Sequence, residues 1–77
     1  MSIQKYLERI LRIDDLIRRR ATGSPKELAA KLGVSERLVY DYLNIIRRYD
    51  AIIKYSYEFN SYFYVNDGYF EIGFKEY

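Results

Sequence analysis

Two helix starts separated by a single glycine constrain this chain more than any other feature. From Ser24 to Arg48 it reads Ser-Pro-Lys-Glu-Leu-Ala-Ala-Lys-Leu-Gly-Val-Ser-Glu-Arg-Leu-Val-Tyr-Asp-Tyr-Leu-Asn-Ile-Ile-Arg-Arg. Ser24 suits an N-cap, Pro25 the first helical position, where no N–H partner is needed, and Glu27 the carboxylate position of a capping box. A helix is therefore predicted over 25–32, with Leu28, Ala29 and Leu32 on its apolar face. Gly33 offers the left-handed conformation that ends a helix at low cost, and Ser35 caps a second helix predicted over 36–49. Ala29 and Val39 place a small and a branched residue on either side of the turn. That pairing lets two helices cross at roughly 90 to 120°, because a bulky residue at Ala29 would hold them apart.

The run Glu27-Leu28-Ala29-Ala30-Lys31-Leu32-Gly33-Val34-Ser35-Glu36-Arg37, followed by Val39, Leu43 and Ile46, resembles the helix-turn-helix of winged-helix transcription regulators, most closely the DeoR-like group. With its flanking segments the resemblance covers nearly the whole chain. It implies a single small α+β domain over 1–77: a three-helix bundle followed by an antiparallel β-hairpin wing. It also implies sequence-selective binding of double-stranded DNA by the third helix, as a transcriptional regulator or accessory factor. The small residue, the glycine and the branched residue serve packing alone, so a protein-interaction or dimerisation module without DNA is the alternative.

The third helix resolves by angle at about 100° per residue. With Val39 pointing into the core, Leu43 and Ile46 lie beside it. Arg37, Asp41, Asn44 and Arg48 then point outward, with Tyr40 and Arg47 on one shoulder and Leu38 and Ile45 on the other flank, either packed or exposed. By resemblance the outward face enters the major groove, where Arg37 suits guanine and Asn44 suits adenine. Ser35, and Ser24 with Lys26 at the start of the second helix, suit backbone phosphates. Asp41 departs from the resembled group, which often carries a basic residue there. Its favourable uses are an ion pair with Arg37 four residues earlier or acceptance from a cytosine amino group.

Upstream, Ile3, Leu7, Ile10, Leu11, Ile13, Leu16 and Ile17 recur at helical spacing, predicting an amphipathic helix over 3–19 capped by Ser2. Arg18, Arg19 and Arg20 fall in its last turn, where cations meet the negative end of the helix dipole; contact with a DNA backbone is the other use of such a cluster. Downstream of Asp50 the apolar period changes to two. Ile53, Tyr55 and Tyr57, then Tyr62 and Tyr64, predict a hairpin over 52–66 with Glu58-Phe59-Asn60-Ser61 as its loop, Tyr57 opposite Tyr62 and Tyr55 opposite Tyr64. The loop offers Glu58 and no cation, so a structural wing with little DNA contact is expected, with Phe59 folded back on the strands or, as the alternative, a wedge between bases. Asn66-Asp67-Gly68 reads as a turn before a further strand over 69–74.

Ten tyrosines and four phenylalanines in 77 residues, mostly in the last third, exceed what one small sheet face need bury. They are either half-buried sheet residues with wet hydroxyls or a homodimer contact through the aromatic C-terminal strand. A net charge of +2 is modest, but its distribution is uneven. Residues 1–23 hold six basic against three acidic side chains, whereas residues 51–77 hold two against four. That asymmetry would turn the helices toward a phosphate backbone.

Catalysis is not expected. The chain has neither cysteine nor histidine, which removes thiolate sites and the commonest metal ligand and general base. Asp14 and Asp15 are adjacent, so on a helix they diverge by about 100° and cannot jointly hold a metal. No cofactor and no small-molecule ligand are expected. No signal-peptide run or membrane-spanning stretch is evident, so a cytoplasmic location is the expectation.

Overall fold

The computed structural model describes residues 2–77. Three helices come first: α1 (Ile3–Arg18), α2 (Pro25–Leu32) and α3 (Glu36–Arg47). Each starts on a serine whose hydroxyl accepts a backbone N–H three residues on: Ser2 from Lys5, Ser24 from Glu27, Ser35 from Leu38. At α2 the capping box closes in both directions, since Glu27 Oε1 also accepts from the Ser24 N–H at 3.1 Å. Gly33 ends α2 at φ 68°, and the Val34 N–H returns to the Ala29 carbonyl at 3.0 Å.

The helices enclose one apolar core of Ile10, Ile13, Leu16, Ile17, Leu28, Ala29, Val39, Tyr42, Leu43 and Ile46, completed by Ile53 and Tyr62 from the hairpin. Leu38 and Ile45, left open by the helical angle, are half-buried against this core. Tyr42 is fully buried, edge-on to Tyr6 with ring centroids 5.0 Å apart.

Two antiparallel strands follow, β1 (Ile53–Ser56) and β2 (Ser61–Tyr64), completing a small α+β architecture. The register pairs Ile53 with Tyr64, Lys54 with Phe63, Tyr55 with Tyr62 and Ser56 with Ser61. This corrects the expected pairing by two residues. The loop is Tyr57 to Asn60 rather than Glu58 to Ser61, because Asn60 takes the left-handed conformation at φ 51° and the Ser56 hydroxyl accepts the Phe59 N–H across the turn. A slip of two keeps each side chain on its face.

The strand expected over 69–74 is absent. The segment runs irregularly, with Phe70 and Ile72 half-buried against the core and Phe74 exposed. The Phe70 N–H, which a strand would have spent on a neighbour, donates instead to Asp14 Oδ1 at 2.8 Å. The edge of β2 away from β1 is also engaged: Thr22, in the α1–α2 connection, donates its N–H to Ser61 Oγ and accepts the Tyr62 N–H on its hydroxyl. α1 and α3 end slightly before their expected limits, with Arg19 and Arg48 as C-caps.

Two glycines take left-handed backbone for different reasons. A Cβ on Gly33 would meet nothing, so only its φ calls for glycine, whereas a Cβ on Gly23 would lie 2.9 Å from the Cβ of Glu27. Gly33→Ala should cost about 1 to 2 kcal/mol, the left-handed penalty. Gly23→Ala should cost more than Gly33→Ala, because the capping box must also move. Urea unfolding of the two variants, followed by circular dichroism, checks the order.

Candidate nucleic-acid interface

The geometry of α3 follows from its burial. Val39, Tyr42, Leu43 and Ile46 hold one side against the core, so Arg37, Asp41, Asn44 and Arg48 stand exposed on the other. Neither the hairpin nor the C-terminal segment covers these four residues. A helix of twelve residues is about 18 Å long and about 10 to 12 Å across, dimensions that match a major groove about 12 Å wide.

Polar contacts divide this face into engaged and unengaged residues. Arg37 and Asp41 form no ion pair with each other among the described residues, so the guanidinium of Arg37 is not drawn onto its own helix. Asn44 Oδ1 accepts from Arg47 Nη1 at 3.2 Å, and Arg47 Nη2 donates to the Ile53 carbonyl at 3.0 Å. Arg47 thus ties the end of α3 to the start of β1 and also donates to the Asn44 side-chain oxygen, which keeps a second lone pair. Tyr40 stands half in solvent on the same shoulder, close to Tyr62. Ser24 and Ser35 already accept their capping N–H groups, which leaves each hydroxyl hydrogen to donate, and Lys26 is exposed beside Ser24.

Residues that fasten the hairpin and the C-terminal segment to the first two helices were not given that role in the sequence. Asn60 at the hairpin loop donates to Glu27 Oε1 at 3.1 Å and contacts the Tyr55 hydroxyl, which fixes the loop beside the first turn of α2. Hydrogen bonds from Ser24 and Asn60 hold the Glu27 carboxyl below its ordinary value. Thr22 and Ser61 are fully buried and join through their hydroxyls at 3.0 Å. Asp14, on α1, is buried and accepts three hydrogen bonds: from Arg18 Nε at 3.0 Å, from the Tyr64 hydroxyl at 2.7 Å and from the Phe70 N–H. Its place four residues after Ile10 and three before Ile17, on the buried side of α1, was the available signal.

The hairpin loop itself is poorly suited to phosphate. Glu58 is exposed and Phe59 folds back under Arg20, whose guanidinium carbon sits 4.8 Å from the ring centroid. Comparison with protein-family models, curated proteins and solved structures finds no match to this chain. Among the described residues no helix is long and apolar enough to cross a membrane.

Burial pushes the Tyr62 hydroxyl up to about 12, with Tyr40 adding to the effect, and burial followed by the bond to Asp14 pushes Tyr64 higher still. An unfolded tyrosine ionises near 10, so above that pH the unfolded chain loses these protons before the folded one does. Stability contributed by the two neutral hydroxyls is therefore complete below pH 10 and falls as pH rises toward 12 and beyond. Urea midpoints measured across this window should decline, and the decline should be shallower in the Tyr62→Phe, Tyr64→Phe double variant.

Proposed function

We propose that this chain is a winged helix-turn-helix domain of the DeoR-like type that binds double-stranded DNA sequence-selectively, as a cytoplasmic transcriptional regulator or accessory factor. α3 enters the major groove, Arg37 and Asn44 read bases, and Arg48 and Lys26 with the hydroxyls of Ser24 and Ser35 hold phosphates. Tyr40 lies at the groove wall, and Asp41 accepts from a cytosine amino group. Arg47 braces the helix and, by holding Asn44, sets its amide orientation. The observation that carries this reading is the exposed polar face of α3, which none of the described residues covers although its opposite side is fully buried. The three-helix and hairpin order supports it, as does the concentration of positive charge in the helical part.

A second reading, a self-association module, is favoured by one observation. An open apolar groove runs between the first half of α1, the end of α3 and the C-terminal segment, lined by Ile3, Leu7, Ile45, Tyr49, Tyr69 and Ile72. Ile3 is 78% exposed and Tyr49 67%. A two-fold axis would set this apolar groove against the same groove of a second copy. A dimer of this kind would bury about 800 Å² on each partner.

Titrating duplex binding with salt tests the first reading, since the logarithm of affinity should fall steeply and linearly with the logarithm of salt concentration. Arg37→Ala and Asn44→Ala should each weaken a selected site by about 1 to 3 kcal/mol and relax selectivity there. Unchanged affinity and selectivity in both variants would remove α3 as the reading element. For the second reading, sedimentation should show a dimer that Ile3→Glu dissociates; a monomer at high concentration rules it out.

A further inference from the structure

We propose that the cleft between α1 and the C-terminal end of α2 is a phosphate-recognition site that grips the backbone of the duplex entered by α3. Lys5, Arg9 and Arg12 recur at spacings of four and three, so they stack as one stripe along α1. At about 100° per residue this stripe lies on the flank of α1 opposite Ile3, Leu7 and Ile10. Lys31, in the last turn of α2, faces it across about 260 Å³ of open space floored by Leu32. Glu8 is the single carboxylate at the cleft, and it accepts from Gln4 at 3.2 Å.

Two of the four cations are held in position by the fold. Arg9 donates to the Tyr42 hydroxyl at 3.3 Å, and Lys31 Nζ donates to the Ala21 carbonyl at 2.6 Å. Lys5 and Arg12 make no ion pair among the described residues. The contrast with the Arg18-Arg19-Arg20 run is informative. Arg18 is drawn onto Asp14 and Asp15, Arg19 onto Asp15 at 2.6 Å, and Arg20 onto the Phe59 ring. The arginine run that looks like an anion site in the sequence is satisfied within the chain, and the unbalanced charge sits at the other end of α1. Like charges gathered in a cleft repel, and a phosphate group relieves that repulsion while accepting from several donors.

The cleft also lies on the side of α3 that the hairpin leaves open. Tyr42, the partner of Arg9, lies about 60° to one side of Val39 on α3. Tyr40 and Arg47, which meet the hairpin, lie about 80 to 100° to the other side. The hairpin loop offers Glu58 and no cation, so the backbone contact falls to α1. Assigning the phosphate to DNA rests on the major-groove reading; a free oligophosphate presents the same chemistry.

The test compares the full chain with a Lys5→Gln, Arg12→Gln double variant, using duplexes of two sequences and, separately, inorganic tripolyphosphate. Glutamine keeps helix propensity, and circular dichroism confirms folding. The double variant should lower the salt slope of duplex binding by about two units and weaken both sequences equally. Arg37→Ala should instead change the ratio between the sequences. An unchanged slope in the double variant, with Arg37→Ala still altering selectivity, overturns the cleft and leaves the major-groove reading standing. Tripolyphosphate binding that the double variant loses, with no duplex binding by the parent chain, keeps the phosphate site and removes DNA as its source. Binding of neither probe by the parent chain overturns both.

Discussion

A two-stranded hairpin does not hold together by itself in water, so everything beyond Asp50 depends on how it is fastened to the helices. Three polar side chains are buried among the described residues, Asp14, Thr22 and Ser61, and all three lie at that seam. None is left unsatisfied: the two hydroxyls bond each other and the backbone, and the carboxylate takes three donors from α1, β2 and the C-terminal segment. A buried polar group without partners costs about 1 to 3 kcal/mol, more if charged, so any other placement of the hairpin would strand several such groups at once. Ile53 and Tyr62 supply apolar contact, while the polar bonds set position and angle.

The helical part was legible because its signals are local. Ser24, Pro25, Glu27 and Gly33 each state a backbone conformation, and the structure adopts all four. The outward set on α3 followed from angle alone. The hairpin was legible as a hairpin, but its register was not: alternation fixes the face of each side chain, and a slip of two leaves every face unchanged. Asn60 decided the register by taking left-handed backbone and reaching Glu27, a contact 33 residues away in sequence. The extra strand failed for a comparable reason. Phe70, Ile72 and Phe74 alternate as a strand would, but a distant acceptor, Asp14, claimed the backbone, and pattern carries no record of such a claim.

Charge tells a similar story at the candidate site. Counting along the chain located an excess of cations in the first 23 residues without saying which are spent. Folding places Asp15 within reach of two arginines and Phe59 beneath a third, while Lys5 and Arg12 find no such partner among the described residues. Arg47 is the converse case: an arginine on the shoulder of α3, adjacent in angle to the exposed set, is held to the Ile53 carbonyl and the Asn44 side chain. Identity and position on a helix therefore ranked these arginines poorly; the location of acceptors on other elements separates them.

The bond from Asn60 to Glu27, together with the Thr22 and Ser61 pair, has a consequence for recognition. The hairpin is fastened at its tip to α2 and along its inner edge to the α1–α2 connection by contacts within the chain itself. Little torsional freedom remains to be forfeited on contact. On the proposed reading, such a body would select by refusal, turning away shapes that do not seat, instead of moulding itself around whatever it meets.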